Sequence, residues 1–249
     1  MTVAVSERLV MGDSDDKLSE RFETRLSMAV ENYLLSIVRL EEQGMRISAA
    51  QLSEHFKSLP SAEGLGTSLP SVSAMIRRMV RETLVNVGPE KQITLTKGGR
   101  VFAESVLRRH RLAERLAVDV LGVELHLAHE EAHRLEHAMS PYLESKIVVL
   151  LDYPETCPFG HGIPGSSYEQ DESSLTLDYS KVGHSYIVDR VPEDDQDLLK
   201  YFVDNSFLPD RNMTILDSSA SRGVIELECE SKELVFSVEI AGQIWVKPV

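Results

Sequence analysis

Long apolar runs are absent from this chain of 249 residues. No uninterrupted apolar stretch reaches the roughly 18 residues that a transmembrane helix requires. The opening segment, MTVAVSERLVMGDSDDKLSE, also lacks the basic region and following apolar run of a secretory signal. We therefore expect a cytoplasmic protein that neither spans a membrane nor is secreted.

Cysteine is scarce as well. The chain has only Cys157 and Cys229, which lie far apart and form no CxxC pair. Disulfide frameworks and structural zinc sites use several closely spaced cysteines. The two cysteines are therefore expected to be free thiols in a reducing compartment.

An overall excess of positive charge is also missing, since the formal net charge is -14. Acidic surfaces repel the phosphates of nucleic acids, so this total at first argues against a nucleic-acid partner. However, residues 46–115 carry 12 Lys+Arg against 6 Asp+Glu, which leaves 14 against 34 in the rest of the chain. From Ser166 on there are 7 positive and 17 negative charges, so the basic module rather than the C-terminal part could meet DNA.

The first part of the chain has the pattern of three helices and a hairpin. Apolar residues recur at helical spacing from Leu26 to Leu40, and Gly44 follows as a plausible left-handed cap. The segment RISAAQLSEHF predicts a second helix capped by Ser48, and PSVSAMIRRMVRETLV predicts a third, basic helix. The segment LVNVGPEKQITLT then predicts two short strands around a Gly-Pro turn. This order is typical of a winged helix-turn-helix, assigned here to residues 1–97 with a polar, frayed or partly helical extension over residues 1–24.

The basic helix offers candidate DNA contacts. In a helix-turn-helix, small and hydroxyl side chains approach base edges while basic side chains reach phosphates. The candidates are Ser68, Ser71, Ser73, Ala74, Arg77, Arg78 and, in the wing, Lys91, with Arg81 as a further cation. The alternative is that the arginines form only a solvated face. The Gly-, Pro- and Ser-rich loop over residues 58–67 is longer than the usual turn and leaves the approach to DNA open.

Two further regions follow. Residues 98–165 predict one long amphipathic helix and one or two shorter ones, whose surplus of apolar residues suggests a helical dimerisation layer. Residues 166–249 contain five alternating β-type runs, which suggest a small barrel. The sequence thus predicts a mainly α protein with a small C-terminal β domain.

The segment HEEAHRLEH spans residues 129–137 and concentrates possible metal ligands. On a helix, His129, His133, Glu136 and His137 fall at i, i+4, i+7 and i+8, so they share one face. Imidazole and carboxylate groups at such offsets are good ligands for divalent transition metals. One alternative is a metallohydrolase built on His129, Glu130 and His133, because these residues spell HExxH. However, Glu136 stands where the HExxHxxGxxH class of zinc proteases has a glycine, and a metal-buffering protein is a further alternative.

The motifs HRLAERL, HEEAHRLEHAMS and CPFGHGIPG, together with the winged helix and the closing β domain, resemble the diphtheria toxin repressor family. This family consists of iron- and manganese-responsive transcriptional repressors, and the resemblance extends from about Ala29 to the C-terminus. It implies a homodimer that binds Mn²⁺ or Fe²⁺ and then a palindromic operator on double-stranded DNA. It further implies that the β domain is an SH3-like, FeoA-type barrel.

The resemblance also implies two metal sites per chain. The primary site would use His133, Glu136 and His137, joined by Asn32 from the first helix. The ancillary site would use His110, Glu114 and His129. Two third-domain ligands three residues apart would complete it, and VPEDDQ offers Glu193 and Gln196, with Asp194 as an alternative to Glu193.

The primary set departs from both branches of the family. Iron-type members have Cys and Met at the positions of His133 and Asn32, whereas manganese-type members have Glu and Asp. Two imidazoles, one carboxylate and one amide form a set without soft sulfur, which leans towards Mn²⁺ and also suits Fe²⁺. In the resemblance, Glu130 of the HExxH-like string is no general base, and the protein is not expected to be an enzyme.

Overall fold

The computed structural model of the chain describes residues 26–58, 65–219 and 221–249. The expectation for residues 1–24 and most of the predicted loop over residues 58–67 lie outside these described residues. The described chain begins with helices and ends in an antiparallel β-sheet domain, as expected from the sequence. None of the described helices is long and apolar enough to cross a membrane.

The N-terminal region forms the predicted helices and hairpin: α1 (Met28–Glu42), α2 (Ala49–Ser58), α3 (Leu69–Arg81), β1 (Val85–Val87) and β2 (Ile93–Leu95). The Ser48 hydroxyl accepts from the Gln51 backbone N–H, and the Ser68 hydroxyl accepts from the Ser71 N–H. These serines cap helices α2 and α3, as the sequence predicts for Ser48. Strands β1 and β2 pair antiparallel.

Helix α1 lies at the centre of this region. Every residue from Val30 to Leu40 is buried, including the charged Glu31 and Arg39. Its apolar side chains share one core with α2, α3, the hairpin and the first half of the next helix. Such a helix can present polar groups only to the protein interior, where they require partners.

The middle region contains α4 (Lys97–Arg115), α5 (Ala128–Glu136) and α6 (Pro141–Leu150). A π-helical turn continues α4 over Leu116–Val120. Leu112, Ala113, Ala132 and Ile147 form a second, smaller core between these helices. On α6, large apolar side chains remain exposed in the single chain: Tyr142, Leu143, Val149 and Leu150.

The C-terminal region forms a six-stranded antiparallel sheet in the order β3-β8-β4-β5-β6-β7. Its strands are β3 (Leu175–Thr176), β4 (Ser185–Arg190), β5 (Asn212–Ser219), β6 (Val224–Cys229), β7 (Lys232–Ser237) and β8 (Trp245–Pro248). The expectation of a closed barrel is not met among the described strands. Strand β3 has only two residues and pairs with β8, whereas β7 forms the opposite edge and runs into a helix, so the two edges do not join.

Two helices in this region are absent from the sequence prediction. Helix α7 (Gln196–Asp204) buries Leu199 and Phe202 against the sheet, and the four-residue α8 (Val238–Ala241) follows β7. The Asp195 side chain accepts from the Leu198 N–H and caps α7. This Asp cap and the apolar pair at i and i+3 are the signals that could have predicted it.

Close backbone packing joins the hairpin to α4. The Thr96 hydroxyl caps α4 by accepting from the Gly99 N–H and also contacts the carbonyl of Leu84. A Cβ added at Gly99 would lie 1.8 Å from the Leu84 carbonyl oxygen. Glycine at this position therefore allows the start of α4 to touch the backbone of Leu84, the residue before β1.

We expect Gly99→Ala to lower the free energy of unfolding, because the hairpin or the helix must shift to admit the new methyl group. The adjacent Gly98→Ala is the matched control, since its nearest neighbouring atom would lie 3.9 Å away. In a helix, Gly→Ala without a clash stabilises by up to about 1 kcal/mol. Urea unfolding of both variants checks this, and equal stabilisation by both would contradict the packing.

Candidate metal centre

The predicted ligands come from four segments that meet between the three regions. His110 and Glu114 lie one turn apart on α4, which packs against both α1 and α5. Helix α5 contributes His129, His133 and Glu136, and His137 is its C-terminal cap residue. Asn32 comes from α1, and Glu193 follows strand β4.

One group is compact and fully interior. His110 Nε2 lies 3.0 Å from Glu114 Oε1 and 3.0 Å from His129 Nδ1, and the last two atoms are 3.1 Å apart. A ligand atom of Glu193 lies within 4.8 Å of the other three residues, and all four residues are buried. Of the two acidic candidates, Glu193 therefore joins this group. Gln196 is exposed on the first turn of α7.

A second group surrounds His137. Its Nε2 lies 2.7 Å from Asn32 Oδ1 and 3.2 Å from Glu136 Oε1. His133 Nδ1 lies 3.4 Å from the same Glu136 oxygen. The structure therefore brings together all four residues that were predicted for the primary site.

The two groups are not separate. The other oxygen of Glu136, Oε2, lies 2.6 Å from His110 Nδ1. His133 also belongs to a cluster with His110 and His129 in which the ligand atoms lie within 4.8 Å of one another. Glu136 and His133 thus link the sets that the sequence analysis treats as two sites.

Glu31 is a residue that sequence reasoning missed. Its Oε2 lies 2.6 Å from His137 Nδ1, and its Oε1 accepts from Arg109 Nη2 at 2.8 Å. A carboxylate on one imidazole nitrogen directs the other nitrogen towards the centre, which is a common arrangement behind metal-binding histidines. A charged residue inside the otherwise apolar run of α1 is the signal that could have revealed it.

Arg39, also missed, is the second charged residue buried in α1. Its Nη2 lies 2.9 Å from Glu193 Oε1 and 2.5 Å from Asp194 Oδ1. Its Nη1 lies 3.2 Å from His129 Nε2. The side chain therefore connects the first helix both to the ligand group and to the third region.

Burial and charge together determine the protonation of the centre. Burial opposes a charged imidazole, but the carboxylates of Glu114 and Glu136 raise the pKa of His110 to about 10. Burial likewise opposes a charged carboxylate, yet His110 lowers the pKa of Glu136 to about 2. Burial and the nearby Arg39 lower the pKa of His129. Without a metal, the centre thus contains a buried ion pair of His110 and Glu136.

The chemistry of this donor set fits a divalent metal ion. Glu114 Oε2 is buried and accepts no hydrogen bond. An unsatisfied buried carboxylate oxygen is costly, and a cation relieves that cost. The spacing also fits, because adjacent ligands of an ion with bonds of about 2.1 Å lie about 3 Å apart.

The HExxH-like string does not form a hydrolase site here. Glu130 forms an ion pair with Arg134, whose side chain is 54% exposed, on the outer side of α5. His129 and His133 instead face His110 on the inner side. This geometry does not support a role for Glu130 as a general base.

The candidate DNA contacts lie mainly on the outer face of α3. Ser68, Ser71, Ala74, Arg77 and Arg78 are exposed, as is Lys91 in the hairpin turn, whereas Ser73 is half-buried. The opposite face buries Val72, Ile76 and Met79. Arg78 pairs with Glu82 at 2.7 Å, and Ser68 also serves as the helix cap.

Family models match two parts of the chain. The model described as iron dependent repressor, metal binding and dimerisation domain covers residues 96–165. The FeoA domain model covers residues 175–248. The iron-dependent repressor IdeR of Mycobacterium leprae is 35% identical over 208 residues, which are 78% of this chain and 86% of that protein. The chain belongs to the diphtheria toxin repressor family. The resemblance inferred from the histidine motifs is thereby confirmed.

Other relatives agree. The diphtheria toxin repressor of Corynebacterium efficiens is 42% identical over 135 residues, and that match spans only about half of each protein, 54% of this chain and 55% of the relative. A solved manganese-dependent transcriptional repressor in complex with manganese superposes with a TM-score of 0.78 at 28% identity and covers 88% of this chain and 100% of its own. The manganese regulator SloR gives 0.74 at 29% identity, with 90% and 100% covered. These comparisons do not support the metallohydrolase or metal-buffering alternatives.

The His110 pKa predicts a pH-dependent stability of the metal-free protein. Because folding raises this pKa from 6.5 to about 10, the stabilisation is full below pH 6.5 and is lost as the pH rises towards 10. The loss is at most about 1.4 kcal/mol per pH unit. We therefore expect the stability difference between the wild type and His110→Gln to shrink between about pH 6.5 and about pH 9.5.

Urea unfolding in the presence of a chelator measures this difference. His184 is exposed, so His184→Gln is the matched control and should give only a small difference in stability. A difference between the wild type and His110→Gln that stayed constant over this range would show that His110 is not charged in the folded protein.

Proposed function

We propose that this chain is a metal-activated transcriptional repressor that binds operator DNA as a homodimer with Mn²⁺ or Fe²⁺ as co-repressor. The observation that carries the proposal is the buried centre, in which Asn32 of the first helix contacts His137 of the middle region, and His137 in turn contacts Glu136. Its close relatives are named as iron- or manganese-dependent repressors. Such a repressor would act in the cytoplasm, in contact with its operator.

The three regions would divide this work. We assign residues 1–97 to a winged helix-turn-helix, 98–165 to metal binding and dimerisation, and 166–249 to an SH3-like, FeoA-type domain. The exposed basic face of α3 and the adjoining hairpin support the first assignment. The exposed apolar side chains of α6 support the second, because a second copy of the chain would cover them.

The donor atoms support two ions per chain. His133, Glu136, His137 and Asn32 would hold the primary ion, and His110, Glu114, His129 and Glu193 the ancillary one. Neither set contains sulfur, so both suit Mn²⁺ or Fe²⁺, while Zn²⁺ or Co²⁺ should bind at least as tightly in vitro. When bound, the ions would supply positive charge that neutralises the buried carboxylates.

The positions of the ligand residues suggest how metal binding could change the orientation of the DNA-binding region. Asn32 lies on α1, which shares its core with α2 and α3. Glu136 and His137 instead belong to the middle region. Drawing these side chains together would set the orientation of the DNA-binding region relative to its partner in the dimer. A differential affinity of about 2 to 3 kcal/mol would shift such a two-state population roughly 30- to 150-fold.

We expect operator binding to require metal, and Glu136→Ala to raise the metal concentration that is needed. The substitution removes a carboxylate that contacts both ligand groups, while the apolar cores remain. A mobility-shift series with a palindromic operator, run with Mn²⁺, anaerobic Fe²⁺ and chelator, tests this. Equal operator affinity of the wild type with metal and with chelator would refute the proposal.

Glu130→Gln is the matched control for that series. It changes a glutamate on the same helix that pairs with the exposed Arg134 and does not face the ligands. We expect its metal content and operator affinity to equal those of the wild type, as is usual for surface substitutions. A Glu130-dependent peptidase activity would favour the hydrolase alternative instead.

A separate variant tests whether the exposed face of α3 contacts the operator. Arg77 is exposed on α3 outside both ligand groups, so Arg77→Ala should weaken operator binding even at saturating metal. If Arg77 contacts a phosphate, the slope of log affinity against log salt should become shallower by about one. Unchanged affinity and slope would exclude Arg77 from the interface.

A further inference from the structure

Arg39 places a permanent positive charge beside the inner ligand group. Its side chain is 5% exposed, and a guanidinium remains protonated at any physiological pH. Arg39 Nη2 lies 2.9 Å from the Glu193 carboxylate, while Nη1 lies 3.2 Å from His129 Nε2. Both partners belong to the cluster of His110, Glu114, His129 and Glu193.

We propose that Arg39 is a built-in competitor of the ancillary metal ion and sets the metal concentration at which this site fills. The inference rests on the metal centre of the proposed function and adds a regulatory residue to it. In the metal-free protein, the Arg39 guanidinium neutralises the Glu193 carboxylate. An incoming metal ion must therefore compete with the Arg39 guanidinium for the same ligand residues.

Hydrogen-bond polarity makes the two states incompatible. Arginine can only donate, so its contact with His129 Nε2 requires an unprotonated Nε2 and leaves the ring proton on Nδ1. That Nδ1–H then donates to Glu114 Oε1, which lies 3.1 Å away. An ion bound at Nδ1 would move the proton to Nε2, where it would face the Arg39 donor. Arg39 must therefore leave His129 when the site fills.

The structure also provides a new partner for the relocated proton. Asp194 Oδ1 lies 3.6 Å from His129 Nε2 and already accepts from Arg39. After the exchange, His129 Nε2–H can donate to Asp194, as metal-binding histidines commonly donate to a carboxylate. Asp194 thus serves as a second acceptor and not as a ligand.

The positive charge of Arg39 also opposes metal binding. The centre is buried, so a fixed positive charge close to a divalent ion opposes its binding far more than a surface charge would. The position of the Glu193 carboxylate does not depend on Arg39 alone. Glu193 Oε2 also lies 3.8 Å from His161 Nε2 and 3.8 Å from Cys157 Sγ. Removing the guanidinium should therefore tighten metal binding and leave Glu193 in place.

The test measures Mn²⁺ binding by titration calorimetry in a His137→Ala background, which weakens the primary site by removing one of its ligands, and counts only the binding that His110→Ala abolishes. We expect Arg39→Gln to increase Mn²⁺ affinity about tenfold or more, because the amide can still donate to Glu193 but carries no charge. Arg39→Lys retains the charge and should remain close to the His137→Ala parent. Arg46→Gln removes a cation from an exposed pair with Glu90 and is the control for net charge.

Each outcome decides the proposal. Unchanged or weaker Mn²⁺ affinity in Arg39→Gln would overturn the role of Arg39 but leave the metal centre intact. Absence of any His110-dependent Mn²⁺ binding would overturn both the ancillary site and its competitor. If Arg39→Gln does not fold, a crystal structure of the Mn²⁺-loaded wild type decides, since a guanidinium still bonded to His129 Nε2 would refute the exchange.

Discussion

The carboxylate of Glu136 is the interaction on which the centre depends. It is fully buried, and its two oxygens face different partners: Oε2 faces His110, whereas Oε1 lies near His133 and His137. A buried carboxylate is tolerated only when positive charge or hydrogen-bond donors surround it. Glu136 therefore requires imidazoles from both α4 and α5, and the packing of these helices satisfies that requirement.

Ion pairs of buried and half-buried arginines connect the three regions around this centre. Arg109 on α4 connects Glu31 on α1 to the end of α5, and Arg111 pairs with Glu42 at the end of α1. Arg39 connects α1 to Glu193 and Asp194 in the third region. Because isolated buried charges are costly, a change at one pair propagates to its neighbours. The centre is thus suited to transmit its state to the N-terminal helices.

The third region is more than an appended domain. His161 Nε2 donates to the Val191 carbonyl, and the Val191 N–H donates to the Phe159 carbonyl. These bonds hold the segment after β4 against the middle region. Glu193 therefore lies close to His110, Glu114 and His129. The acidic composition of this region fits a role in charge balance at the centre.

Local pattern alone determined much of this protein. Apolar periodicity predicted α1 to α4 and one or two helices where α5 and α6 lie, and the Gly-Pro turn predicted the hairpin. Helical spacing brought His129, His133, Glu136 and His137 to one side of α5, because such offsets depend only on helix geometry. The tertiary structure decided what depends on contacts between distant residues. It left the sheet open where β3 is too short to close it, brought Glu193 into the cluster with His110, Glu114 and His129, and placed Glu136 and His133 in contact with both groups. It also placed Glu31 and Arg39 beside histidines some 90 or more positions away in the chain, a proximity that arises because α4 packs against both α1 and α5.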